Sequence, residues 1–515
     1  MNQQHLSNLY MALPHSLNAP PFGSTRDRST QRQLHKSWRW VRRLVYLVLL
    51  LPMPLFADDA WFEVFKSEAT PTQLHQFLYA MPKGGDLHNH LTGSVHPEWF
   101  LQAALASKRH GYTYYTKVKI NNCRVGSNEF GPNAYFLLFR TIPQLDYDAL
   151  PECERSEYIP LSDLEGETKA AWLNALRLDQ DHEGRSEFFE AHWPRLGGFT
   201  SNPYLIADVL FENIRSFGAE GLSYLETQTL VHGFKSPTGE PISPEAVADI
   251  YRARLAQKDA KATGVEVRFQ LSLLRFSPNA EEALEVLYRF VASHPDFVGV
   301  NMVGREDNDK GYPLRFLETY RKLRRQISGV HLAIHAGEVD EPNRHIRDTL
   351  LLGAERIGHG VNLISDPEMM ILMRDNRYLV EINLISNLLL EYVSDYSQHP
   401  FPEYLRIGIP VALSTDDRGM WDSTMTDEFF VAVTEFNLSW QEVKKLSLNS
   451  LAHSFLDEAT KTRLVNQLRD RLKAFEARFK RRGLSAVAAK EPEYRGFLCR
   501  RYQVCDPGTN ASATP

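Results

Sequence analysis

Cysteine is scarce in this chain, with four residues in 515. None of the four has the CxxC spacing of a thiolate metal site, which argues against a structural zinc of the finger or ribbon kind. A long apolar run is also missing. The apolar stretch without charge from Leu44 to Ala57 has 14 residues, short of the roughly 20 that span a bilayer as a helix. An excess of positive charge is missing too. The formal net charge is −6, and it conceals an asymmetry, because residues 1–43 carry seven Lys/Arg against one Asp. Without them 51 basic residues face 63 acidic ones, a balance of −12. Nucleic-acid binding needs a basic surface, so no nucleic-acid partner is expected. There is no internal repeat. Hydrophobic and charged contents of 43% and 24% are those of an ordinary globular protein.

The few cysteines have a local arrangement. Cys123 and Cys153 flank a loop-rich segment, and Cys499 and Cys505 bracket a short C-terminal loop. Two local disulfides are the economical pairing in an oxidising compartment, and four unpaired thiols are the alternative. Arg42-Arg43, the apolar run and Leu55-Phe56-Ala57 before Asp58 have the order of a secretory signal. Residues 1–57 are thus expected to be a leader and signal peptide, or an uncleaved membrane anchor. The chain is expected to be secreted or periplasmic, beginning near Asp58, and to meet a membrane only if the leader stays attached.

Apolar, β-rich runs recur at Gly85–Leu91, Gly221–Leu230, Val265–Leu274, Phe297–Val303, His331–Ala336, Arg356–Gly360, Tyr378–Ile385 and Pro410–Thr415. Between them, Pro244–Thr263, Ala280–Ser293, Tyr312–Gln326, Arg344–Leu352 and Pro367–Asp375 carry helical patterning. Strand alternating with helix predicts a parallel sheet. Eight such units predict an α/β fold, a (β/α)8 TIM-like barrel with its active groups at the C-terminal strand ends. About 130 residues separate the first two strands, far beyond an ordinary connection. They predict a helical insert, about residues 100–215, with helical patches such as Ala134–Phe139 and Ser186–Trp193. Residues 58–80 read as a short N-terminal segment and 81–460 as the barrel. Residues 461–515 read as a C-terminal helix, whose basic face is solvated, and a tail.

Four short segments place polar residues at the expected strand ends. They are Asp86-Leu87-His88-Asn89-His90, His335-Ala336-Gly337-Glu338, Gly358-His359-Gly360 and Ser414-Thr415-Asp416-Asp417. Side chains at i and i+2 leave a strand on one face, so His88 and His90 can bind one ion while Asn89 points away. Imidazole and carboxylate are what zinc takes when thiolates are absent. His88, His90, His335 and Asp416 supply three nitrogens and one oxygen, with a position left for water. Glu338, across a glycine turn from His335, is placed to move a proton. His359 can orient the attacking hydroxide, and Asp417 can face the pocket as a hydrogen-bond acceptor. Each piece alone is weak, and their coincidence points to a metal-dependent hydrolytic enzyme. His75, His96, His182, His192, His232, His399 and His453 read as structural or exposed.

The run from Met81 to Leu91, with HAGE at 335–338, RIGHG at 356–360 and STDD at 414–417, resembles the adenosine deaminase family over roughly residues 78–460. Residues 381–420, with Ile385-Ser386-Asn387, are most similar to its secreted branch, the adenosine deaminase growth factors. The resemblance implies one zinc ion per chain and hydrolysis of the 6-amino group of adenosine, and of 2'-deoxyadenosine, to give inosine and ammonia. It implies that His88, His90, His335 and Asp416 hold the metal and that Glu338 faces purine N1. It further implies that His359 orients the hydroxide, that Asp417 lies near N7 and that the Gly304 N–H meets N3, with His90 also touching substrate. The H-x-E and P-C-x-x-C pattern of cytidine-type deaminases is missing. Thr92 stands where many members have an aspartate near the ribose. The branch's dimerisation segment has no room between Asp58 and Met81, so the homodimer stays an open expectation. Adenine or a modified adenosine as substrate, and a secreted binding protein without catalysis, are the alternatives.

Overall fold

The computed structural model describes residues 60–123, 136–307, 310–339 and 343–506. The expected leader, the start of the expected helical patch at Ala134, and the tail beyond Asp506 lie outside the described residues. Among the described residues no helix is long and apolar enough to cross a membrane.

Eight parallel strands form one sheet in chain order: β1 Gly85–His90, β2 Tyr224–Thr229, β3 Glu266–Leu274, β4 Phe297–Val303, β5 His331–Ala336, β6 Arg356–His359, β7 Leu379–Ile382 and β8 Val411–Leu413. An Asn89–Asp416 bridge joins the first strand to the residues just past the last. His90 N–H donates to Asp416 O at 3.2 Å and Asp416 N–H to His88 O at 2.9 Å. The sheet is therefore a (β/α)8 barrel, closed at the end where strands finish. Buried strands of a parallel sheet read as continuous apolar runs, which is why all eight are visible in the sequence.

The differences are local. The apolar run after Ile382 continues not as strand but as the buried helix Leu384–Leu389, because Asn383 turns the chain at φ −122°, ψ 78°. The segment expected as one helix from Pro244 breaks at Gln257, whose ψ of 154° is extended, into Pro244–Leu255 and Lys258–Ala262. The insert is not wholly helical. Beside helices such as Pro203–Ala219 it holds a three-stranded antiparallel sheet, Tyr114–Lys117 flanked by Thr141–Pro143 and Tyr158–Pro160. Its aromatic and β-branched residues suit a pleated, half-buried surface. Ser186–Trp193 is helical, with a π-helical turn at Phe188–His192. The disulfides Cys123–Cys153 and Cys499–Cys505 are formed, with Cα atoms 5.7 and 4.5 Å apart.

Charged residues fill the lower barrel. Arg356 on β6 reaches Glu226 on β2 at 2.5 Å and Glu381 on β7 at 2.7 Å, and its guanidinium stacks 3.7 Å from the Phe455 ring centroid. Tyr224 and Gln270 donate to Glu226 at 2.7 and 2.9 Å. All of these charged side chains are buried. Removing one partner of such a set strands the others, at a cost of about 3–5 kcal/mol. Arg356→Met is expected to lower unfolding free energy by that amount in denaturant titration. A change under about 1 kcal/mol would contradict the reading of an interdependent network.

Candidate functional site

The sequence-predicted ligands converge at the C-terminal mouth of the barrel. Donor atoms of His88, His90, His335 and Asp416 all lie within 4.8 Å of one another. Asp416 Oδ1 is 3.4 Å from His88 Nε2 and 3.2 Å from His90 Nε2, and the His90 and His335 Nε2 atoms are 3.1 Å apart. A tetrahedral set with bonds of about 2.0–2.1 Å puts neighbouring donors about 3.3 Å apart.

Side chains behind the ligands fix which nitrogen is free. His88 Nδ1 is 2.8 Å from Glu381 and His335 Nδ1 is 2.8 Å from Asn301 Oδ1. Each of those ring nitrogens donates, so each Nε2 is left with its lone pair. His88 Nε2 has no hydrogen-bond partner. Ser386 Oγ donates to the far oxygen of Asp416 at 2.7 Å. Burial and then the neighbouring imidazoles push His335 well below the usual histidine range, which keeps it a neutral ligand. Three imidazole nitrogens and one carboxylate gathered at one point fit a small divalent cation.

Backbone strain marks the same place. Asp416 and His359 have φ of +53° and +63°, a left-handed conformation that few non-glycine residues adopt and that clusters at functional sites. Gly358 is needed beside His359, because a Cβ there would lie 2.6 Å from His88 Cε1.

His359 Nε2 stands 3.7 Å from Glu338 Oε1 and 4.0 Å from Asp416 Oδ2. On its other side Asn387 Nδ2 and Asn383 Nδ2 approach Nδ1 at 3.0 and 3.2 Å. Both amides donate, so Nδ1 accepts and the ring proton sits on Nε2, facing the ligand group. His399 continues the chain, with Nε2 3.1 Å from Asn387 Oδ1. It is thus tied to the site through one amide, a link that nothing in its local sequence signals. Burial holds His359 neutral, lowered to about 3.

Glu338 is buried, and burial together with the charges of Asp416 and Glu306 pushes its carboxyl well up. Glu306 clamps its backbone, accepting from Gly337 N–H at 3.0 Å and Glu338 N–H at 3.2 Å, with His345 Nδ1 at 2.8 Å. Burial alone would raise the Glu306 carboxyl. Arg275, His345 and the backbone donors outweigh it and bring the group from 4.5 to about 2. That shift corresponds to about 3 kcal/mol of stability. It is complete above the unfolded value and lost as pH falls toward the folded one. Glu306→Gln is expected to cost on the order of 3 kcal/mol at pH 7 and much less at pH 3. Chemical denaturation at both pH values reads this, and an equal deficit at the two would contradict it.

A cavity of about 380 Å³ opens onto these groups, lined by His90, Gly304, His335, Glu338, Asp416 and Asp417 among others. His88 and His359 stand behind that wall. Every residue expected at the site is therefore at this one mouth. Gly304 has φ +96°, and a Cβ on it would lie 2.7 Å from Phe276 Cε1, so a residue without a side chain is needed at this edge of the cavity. Asp417 lies at the same cavity, beside Asp416. Burial and the adjacent Asp416 charge push its carboxyl well up, favouring the neutral acid, which donates. Phe188, Phe189 and Trp193 of the insert form an apolar part of the cavity wall. Glu381, Asn301, Glu306, Asn383 and Asn387 were missed as site residues by sequence reasoning. Their only signal is a polar side chain within an apolar strand or in the residues that follow it.

Comparison with known proteins agrees with this geometry. The family model described as Adenosine deaminase matches residues 174–471, more than half of the chain. An adenosine deaminase of Enterococcus faecalis is 34% identical over 178 residues, 35% of this chain and 51% of that protein; the chain spans about half of that relative's length. An adenine deaminase of Chelativorans sp. is 31% identical over 237 residues, 44% of this chain and 69% of that protein. Among solved structures, an amidohydrolase of Burkholderia ambifaria with bound Zn superposes with a TM-score of 0.51 at 18% identity, covering 79% of this chain and all of that one. The matched model is that of the family as a whole and assigns no branch. The chain belongs to the adenosine deaminase family, hydrolases that act on C–N bonds.

Proposed function

We propose that this protein is a zinc-dependent deaminase of purine nucleosides, converting adenosine and 2'-deoxyadenosine to the 6-oxo products and ammonia. The observation that carries the reading is the convergence of His88, His90, His335 and Asp416 beside Glu338 at one cavity. Zinc held by those four residues supplies a Lewis acid that lowers the pKa of water toward about 7.

This chain's own residues do the rest. Glu338, as the neutral acid, donates to purine N1 and so makes C6 electrophilic. His359 presents Nε2–H to the attacking oxygen and holds its lone pair toward C6. Asp417, also as the neutral acid, donates to the N7 lone pair, and Gly304 N–H donates to N3. As water adds at C6 the Glu338 proton moves to N1 and the resulting carboxylate takes one proton from the water. Glu338 passes that proton to the amino nitrogen, the C6–N bond breaks and ammonia leaves, and the proton of the C6 hydroxyl returns to Glu338 as the 6-oxo group forms. The apolar insert wall keeps bulk water from the ring.

Two observations on the cavity favour a nucleoside. Its volume of about 380 Å³ falls in the range of small-molecule sites. Among its described lining residues there is no Lys or Arg, so nothing there offers a phosphate the charge-assisted hydrogen bonds it needs. The test is direct. Purified protein is incubated with adenosine, adenine and adenosine monophosphate, and the loss of the 6-amino chromophore and ammonia release are followed. Turnover of adenosine with none of the monophosphate is expected. Turnover of the monophosphate alone would sink the nucleoside assignment.

A further inference from the structure

Gln228 is buried, at 2% exposure, yet neither its Nε2 nor its Oε1 has a hydrogen-bond partner. It lines the cavity. Its place in β2 explains the exception. Alternate residues of a strand share a face, so Tyr224, Glu226 and Gln228 form one inward column. The lower two are satisfied, by each other and by Arg356, Gln270 and Phe455 N–H. Only the top member, at the mouth and paired in register with His90, is left without a partner. Buried amides are nearly always hydrogen-bonded. One that is fully formed and desolvated, on a residue lining a ligand cavity, has its partner in the ligand.

The barrel order says which part of the ligand that is. On the nucleoside reading, N1 faces Glu338 after β5, N7 faces Asp417 after β8 and N3 faces Gly304 after β4. Around a purine the sequence of edge positions from N7 is C8, N9, N3, then N1. Around the barrel from β8 the sequence is β1, β2, β3, then β4 and β5. The two cycles run in step, so N9 and its substituent fall on the sector of β1–β3. In that sector the cavity wall carries Thr92, Gln228, Thr229 and Ser272, all neutral. A carboxamide both donates and accepts, which matches a sugar hydroxyl and not a phosphate.

We propose that Gln228 is the residue by which this enzyme recognises the N9 sugar, hydrogen-bonding a ribose hydroxyl and distinguishing a nucleoside from its free base. The inference rests on the nucleoside-deaminase reading and adds to it a residue outside the ligand and proton-transfer set. Thr92, standing in place of an aspartate, leaves the sugar to neutral donors and acceptors, and Gln228 is the buried one among them.

The test compares product inhibition by inosine and by hypoxanthine, which differ only in the sugar, in holoenzyme turning over adenosine. Gln228→Leu, of similar volume and without polar atoms, is expected to raise the inhibition constant of inosine by about 10- to 100-fold, the cost of leaving one buried hydroxyl without its partner. The constant for hypoxanthine is expected to stay within about two-fold. Metal content and melting temperature are expected at or above the wild-type values, because an unpartnered buried amide has been replaced by an apolar group. If Gln228→Leu does not fold, Gln228→Met is measured in its place, with the same expectation. Equal weakening of inosine and hypoxanthine, or no weakening of either, would overturn the assignment. Wild-type protein with full metal that turns over no 6-aminopurine would overturn the nucleoside reading and this inference together. Active wild type with unselective variants would overturn this inference alone.

Discussion

Replacing His335 by alanine is expected to remove metal and activity together. His335 ends β5 with its Nε2 3.1 Å from that of His90, and its Nδ1 is held by Asn301. Loss of a partner behind a ligand typically lowers metal affinity about 10–100-fold. Loss of a ligand is expected to exceed that, leaving two imidazoles and a carboxylate where four donors converge. The metal contributes folding free energy as well, so the variant should melt lower than wild type, at the temperature of chelator-treated wild type. Metal analysis after gel filtration, the adenosine assay and a melting curve check this. His335→Ala protein that keeps a full equivalent of metal would show that the ion is held elsewhere.

Glu338→Gln is expected to separate proton transfer from metal binding. The amide keeps the size of the side chain and can still donate to N1, so substrate affinity should change little. It has no proton to pass on, so kcat should fall by about 10²- to 10⁴-fold, the usual contribution of a general acid–base group. Metal content should match wild type, since Glu338 belongs to the second donor group, with His335 and His359, and not to the four-ligand set. The wild-type pH dependence follows from the direction of the shift. The carboxyl is pushed up by burial first and by Asp416 and Glu306 next, so the donating form persists above the ordinary carboxylate range. Activity should decline on the alkaline side as that proton is lost, in a step belonging to the coupled cluster rather than to Glu338 alone. A Glu338→Gln enzyme with full metal and near-normal kcat would remove Glu338 from its role and leave His359 as the base.

How far the sequence is legible depends on what each element is made of. Phe297–Val303 and His331–Ala336 agree to the residue, because both are short apolar runs bounded by polar segments. Tyr378–Ile385 is too long for its strand, because the buried helix Leu384–Leu389 continues the same apolar run. Composition cannot tell a buried strand from a buried helix turn at that length. The insert's sheet escapes a sequence reading since its strands have only three or four residues, too few for a period to show. The ligands are legible because they come in tight groups, HxH and HAGE. The residues that orient them are not. Glu381 lies 293 residues from His88, and Glu306 lies 32 from Glu338. Each is a single acidic residue whose partner only the closed barrel brings near. Gln228 is hidden in the same way, one of several polar residues in the run Tyr224–Thr229.

The central claim is that one zinc ion, held by His88, His90, His335 and Asp416, makes this chain a nucleoside deaminase. The most direct test is to strip the purified protein with a chelator and titrate Zn²⁺ back while following the conversion of adenosine to inosine. The account predicts that activity is absent in the stripped protein, rises linearly with added zinc and breaks sharply at one equivalent per chain. Full activity in the stripped protein, or none at any zinc concentration, would contradict it.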